Sequence, residues 1–288
     1  AKFVPELADL RVDVPGSPGA TEPAIRGITI RDCLTNTTSL HTAGTAPLSY
    51  RQEYREALET LGWISTNREK PAVNSRERMS AIAQIPLAGH PGTRFVYHVG
   101  FPILGAVLEA ASGQSMDQFF REQIFEPLGM TDSYFYLPDG ALDRFPTCYV
   151  PRMENGEMRL VVTESPETSE KHLGPEINFG IGGDNGGVLS TVTDYARFAQ
   201  MLLNGGELDD VRILGRKTVE YMRGNHTGEL AVPMPGHQSS YFALGFAVHH
   251  GQKGYPLMRS PGSYGWGGAA GTKFWVDPVE DLVGICFT

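Results

Sequence analysis

From Ser239 onward the spacing of apolar residues changes from a helical period to a two-residue period, and that change limits the folds open to this chain of 288 residues. Residues 241–249, 262–270, 272–276 and 282–287 read as strands, with Asp277-Pro-Val-Glu-Asp281 as a connecting turn. Upstream the spacing is helical. Residues 14–23 form a Pro/Gly/Thr-rich loop, and residues 29–40 a short helix and turn. Ser49-x-x-Gln52 has the capping-box pattern, and Tyr54, Ala57, Leu58 and Leu61 predict a helix ending near Gly62. A second helix is predicted from Ser75, with Met79, Ile82 and Ile85 on one face. Pro102 suits a first turn; Ile103, Leu104, Val107, Leu108 and Ala111 make the stripe and Gly113 the stop. Ser115-x-x-Gln118 caps the next helix, which is predicted to bury Met116, Phe119, Phe120 and Ile124. The last strong helix starts at Asp194, turns Tyr195, Phe198, Ala199 and Leu202 inward, and stops at Asn204-Gly-Gly.

Helices followed by antiparallel strands predict a helical lobe beside a sheet, not alternating βαβ units. The fold class is therefore α/β of α+β-like character. One domain is expected over 1–288, with 28–205 mainly helical and 206–288 forming the sheet part.

With 24 basic against 33 acidic residues, the net charge of -9 argues against a nucleic-acid or anionic-membrane footprint. No run of 18 apolar residues spans a bilayer. Cys33, Cys148 and Cys286 are odd in number and widely separated, which fits neither a disulfide framework nor a metal site; they read as buried or free thiols. The histidines are scattered, and adjacent His249 and His250 would face opposite sides of a strand. No metal or cofactor is called for.

Three segments carry candidate chemistry. Tyr97 ends the strand-like Arg94-Phe-Val-Tyr97 just before the Pro102 helix, a place from which a side chain can point into a cleft; local sequence alone favours a hydrogen-bonded core aromatic. Gly265-Trp-Gly-Gly-Ala-Ala-Gly271 puts glycines in a strand, marking close approach by a ligand or by another backbone. Gly182-Gly-Asp-Asn-Gly-Gly187 matches no phosphate-binding loop and reads as a tight turn walling a pocket.

Taken in order, these pieces resemble the serine β-lactamase-related family: class C β-lactamases, D,D-peptidases and family VIII carboxylesterases. Ile28-Thr-Ile-Arg-Asp-Cys-Leu-Thr-Asn-Thr-Thr-Ser-Leu40 resembles its "TIRxLLTHTSGL" segment, with Asn36 at the common histidine. Tyr97, followed by Leu104-Gly-Ala-Val-Leu-Glu-Ala-Ala-Ser-Gly113, resembles the tyrosine motif and the helix after it. Ile124-Phe-Glu-Pro-Leu-Gly-Met-Thr-Asp132 matches "IFxPLGMxDT", and Gly187-Val-Leu-Ser-Thr-Val-Thr-Asp-Tyr195 matches "GGLxSTxxDxxRF". Trp266-Gly-Gly268 takes the place of the lysine or histidine motif on the sheet.

The resemblance implies a β-lactamase/transpeptidase-like fold and a serine hydrolase that works through an acyl-serine on a small ester or amide. It also implies roles. Tyr97 becomes a general base or proton relay, and Trp266, Gly267 and Gly268 border the substrate. The Ala269 N–H becomes an oxyanion donor. His98 faces away from Tyr97 and takes no catalytic part. The family's Ser-x-x-Lys is absent: none of the six lysines has a serine three residues before it. The expectation is a chain cut at both ends that starts just after the nucleophile's helix and, as given, is inactive. Its open 282–287 edge would then favour self-association. Tyr97-His-Val99 lacks the usual asparagine, and Trp266-Gly-Gly lacks a cation for a β-lactam carboxylate. Both departures point toward a carboxylesterase, with a catalytically inactive acyl- or peptide-binding homologue, or a β-lactamase or D,D-peptidase, as alternatives.

Overall fold

The computed structural model describes residues 2–17, 19–41, 79–80, 82–97, 100–169, 187–230, 232, 240–251, 258–268 and 270–287. The predicted helix ending near Gly62 and the 182–186 glycine turn lie outside these residues. Strands β1 (Arg11–Asp13) and β2 (Thr21–Pro23) pair antiparallel. Helix α1 (Ile30–Leu34) opens at Thr29, whose hydroxyl accepts the Asp32 N–H while the Asp32 carboxylate accepts the Thr29 N–H. That reciprocal cap satisfies two donors that a helix start otherwise leaves unpaired. Helix α2 (Gly100–Ser112) carries Pro102 in its first turn and stops at Gly113, which adopts the left-handed φ of +73°. Helix α3 (Met116–Phe120) is capped by Ser115 as expected, then runs into a π turn, Arg121–Phe125. β3 (Cys148–Glu154) and β4 (Glu157–Glu164) form a separate hairpin. Helix α4 (Val192–Leu203) is followed by the short pair β5 (Glu207–Leu208) and β6 (Val211–Arg212), and by helix α5 (Arg216–Met222). The C-terminal sheet holds β7 (Ser240–Phe242), β8 (Ala247–His249), β9 (Tyr264–Gly267), β10 (Lys273–Asp277) and β11 (Leu282–Cys286) in the order β11-β10-β9-β8-β7, all antiparallel.

Several expectations shift. The strand read over 241–249 is two strands, because Gly245 at φ +91° turns the chain and Ala243 donates its N–H to the Phe246 carbonyl. The strand read over 262–270 is ordered as a strand only at Tyr264–Gly267; beyond it the Gly268 N–H bonds to the Thr272 carbonyl and closes a tight turn. Ala111 is exposed at the end of α2, and Phe119 and Phe120 are half-buried. The π turn shifts the register, and Phe125 takes the deep position instead.

Two hydrophobic clusters support this frame. One packs Val4, Leu7 and Val12 with Cys33, Leu87 and Ile103 around α1 and α2. The other lies where α4 crosses β10 and β11, and buries Ala199, Met201 and Leu202 against Val248, Tyr264, Phe274 and Val276. Among the described residues, no helix is long and apolar enough to cross a membrane.

Candidate active site

Tyr97 is positioned by backbone chemistry that begins 61 residues earlier, at Asn36. After α1 the chain passes through Asn36 and Ser39 with φ of +56° and +61°, both fully buried. Asparagine tolerates that left-handed conformation better than most residues. The kinks aim three carbonyls at one neighbour: Asn36 accepts Val96 N–H at 2.7 Å, Thr37 accepts Gly92 N–H at 2.7 Å, and Ser39 accepts Ala88 N–H at 2.8 Å. The segment ending at Tyr97 is thus laced to this turn and is not a sheet strand, as its strand-like pattern had suggested. The Asn36 carbonyl thus holds Val96, the residue before Tyr97.

Close packing fixes the other side. Any Cβ at Gly100 would collide with the Cys33 carbonyl, so glycine lets α2 start against α1, three residues beyond Tyr97. The turn is anchored by Asp32, whose carboxylate takes Arg26 in a two-point fork at 2.6 and 2.9 Å. Burial pushes the Asp32 carboxyl up, but the hydrogen bonds from Arg26 and Thr29 outweigh it and hold the carboxyl below its ordinary value.

Trp266 reaches Tyr97 from the sheet. Its indole N–H donates to the Tyr97 hydroxyl at 2.8 Å, and the ring centroids lie 5.4 Å apart. Phe242 meets the Trp266 ring edge-on at 5.2 Å, and Phe95 packs on Phe242 at 5.4 Å. Phe95, Tyr97, Phe242 and Trp266 therefore form one aromatic wall between the turn and the sheet. Phe95 and Phe242 were not anticipated; only the i, i+2 spacing of Phe95 and Tyr97 hinted that they share a side. Burial raises the Tyr97 pKa, and the Trp266 hydrogen bond offsets that only in part. The residue is a neutral phenol at pH 7.

The glycine-rich strand divides into two roles. Gly265 is required by the sheet, since a Cβ there would strike the Phe274 carbonyl. Gly267 and Gly268 are exposed beyond Trp266, and the Gly268 N–H is already committed to Thr272 at 2.8 Å. Ala269 and His98 lie outside the described residues. The blocks at 124–132 and 187–195 meet each other. The Asp194 carboxylate accepts the Asp132 N–H at 2.7 Å and the Ser133 hydroxyl at 2.9 Å, and Tyr134 bridges Leu189. Their contribution is architectural.

Known proteins share this fold and part of this sequence. Protein Rv1367c of Mycobacterium tuberculosis is 31% identical over 301 residues, covering 98% of this chain and 68% of that protein. The solved structure of EstCE1, described as a hydrolase with promiscuous acyltransferase activity, superposes with a TM-score of 0.70 at 21% identity, covering 99% of this chain and 70% of that one. Simvastatin synthase (LovD) from Aspergillus terreus superposes with a TM-score of 0.73 at 20% identity and the same coverage. Those two likenesses establish the fold. A sequence profile described as beta-lactamase matches residues 2–288, so this chain belongs to the serine β-lactamase-related family.

Proposed function

We propose that this chain carries the tyrosine and sheet-motif side of a serine acyl hydrolase acting on small esters. The observation that carries the reading is the 2.8 Å hydrogen bond from Trp266 to Tyr97, which joins residues 169 apart in sequence into one site. The nucleophile belongs to a Ser-x-x-Lys segment that these 288 residues do not contain. Its hydroxyl attacks the acyl carbonyl, and the proton passes through the lysine and Tyr97 to the departing alcohol. The Ala269 N–H and the serine's own N–H hold the oxyanion, and water then hydrolyses the acyl-serine. Tyr97 needs a neighbouring ammonium to act as a base, because burial keeps it protonated. Trp266, with Gly267 and Gly268, borders the acyl or alcohol group.

Ester preference rests on the indole at Trp266, where a β-lactamase of the family places a cation for the substrate's carboxylate. A second reading is an acyl- or peptide-binding homologue without catalysis, in which Tyr97 donates its phenolic hydrogen to a bound carbonyl.

Intact mass after fluorophosphonate treatment, run beside p-nitrophenyl butyrate turnover, separates the two. The 288 residues alone give neither adduct nor turnover, whereas a protein that joins them to a Ser-x-x-Lys segment gives one adduct and turnover. An inert joined protein favours the binding reading. A stoichiometric adduct with turnover on the 288 residues alone assigns the nucleophile to another serine and overturns the proposal.

A further inference from the structure

The β3–β4 ribbon is amphipathic in a way that the rest of the fold does not use. Its register pairs Tyr149 with Val162, Pro151 with Leu160 and Met153 with Met158, so these six side chains share one face. That face is in water: Tyr149 is 56% exposed, Met153 63%, Met158 64%, Leu160 71% and Val162 51%. Val150 and Val161, on the opposite face, are half-buried. Toward the tip that opposite face sets Arg152 against Arg159 and Glu154 against Glu157, directly paired like charges that weaken a ribbon standing alone. No other described element packs substantially against it, and two-stranded hairpins are marginal in water without a covered face.

We infer that this apolar face packs against the same face of a second copy of the chain, forming a two-fold dimer. Three observations select that occupant. Pro151 has no N–H to offer an added strand, so contact through the face is favoured over extension of the β3 edge. The ribbon carries Arg152 and Arg159 against Glu154, Glu157 and Glu164, and the whole chain has a net charge of -9, which disfavours an anionic lipid surface. The exposed apolar area is on the order of 500–600 Å², at the upper end of what a monomer normally shows. Doubled across a two-fold axis it reaches roughly 1,000–1,200 Å², the size of a weak, concentration-dependent dimer and not an obligate one.

Sedimentation velocity of the full chain over a wide concentration range tests this. The expected result is a monomer–dimer equilibrium that Leu160→Lys and Met158→Lys each weaken by about 30-fold or more. Leu160→Thr, which keeps strand propensity, should weaken it in the same direction and guards against a folding defect. Leu282→Lys, on the exposed edge strand β11, should leave it unchanged. A monomer at every concentration overturns the inference, as does association that survives the ribbon substitutions. Flotation with phosphatidylcholine vesicles that is lost in Leu160→Lys would assign the face to lipid and overturn it too. None of these outcomes depends on the catalytic reading.

Discussion

Asp32 and Cys33 are adjacent and both buried, yet burial acts on them with different results. Asp32 is compensated by Arg26 and Thr29 and stays ionised. Cys33 has no such compensation, and burial beside that carboxylate pushes its thiol up to about 12. Of the three thiols, exposed Cys286 should react first with a disulfide reagent such as DTNB, and Cys33 only once the protein unfolds. Asp32→Asn should destabilise the protein by about 1–2 kcal/mol, because it breaks the fork to the partly exposed Arg26 and weakens the carboxylate half of the helix cap. Since the folded pKa of Asp32 is depressed, its contribution is complete above the ordinary value of 3.8 and is lost as pH falls through the lower folded value. The gap between wild type and variant in urea titrations should therefore narrow below that pH. In a protein that carries the nucleophile, Tyr97→Phe should lower kcat/KM about 10²- to 10⁴-fold. Trp266→Phe, which removes one hydrogen bond to Tyr97, should lower it about tenfold.

Among the elements, those with a strong cap and stripe were legible. Ser115, Pro102 and Gly113 act as their types predict, and the helix read from Asp194 is present but starts two residues earlier, at Val192, because Thr191 caps it. The β3–β4 hairpin was missed although Asn155-Gly156 is its turn signal, with φ of +53° and +83°. Its alternation of apolar and charged residues was readable too, but only pairing reveals which residues share a face. Helix α5 was missed as well; it is short and only Val219 is buried, so it carries little periodic signal. The Asp194 carboxylate, the Tyr134–Leu189 bridge and a Ser133–Ser190 hydroxyl bond together join the chain around the 124–132 and 187–195 blocks. Asp194→Ala should strand the Asp132 N–H, leave the Ser133 hydroxyl with Ser190 alone, and cost about 1–3 kcal/mol, read as a lowered thermal midpoint. Kinetic parameters per folded molecule should change little, because Asp194 bonds to Asp132 and Ser133, neither of them a proposed site residue.

At the scale of the molecule, protection from hydrogen exchange should be greatest where α4 covers the sheet. Val248 and Val276 are fully inaccessible there, and Tyr264 is 2% exposed. The β3–β4 amides should exchange fast in dilute solution and slow as concentration rises. Amides that exchange fast at every concentration would count against the ribbon dimer.

Family and the succession of helices before a C-terminal antiparallel sheet were determined by the sequence alone, because caps, apolar periods and five motif blocks are local properties that survive without knowledge of packing. Tyr97 and Trp266 could be named from those blocks, but their hydrogen bond could not. It depends on the left-handed turns at Asn36 and Ser39, on the fit of Gly100 against Cys33, and on strand register that brings Phe242 beside Trp266. These are long-range contacts between residues whose local patterns are silent about one another. Only the tertiary structure could decide them, since a backbone kink and a missing Cβ acquire meaning from what lies across the gap.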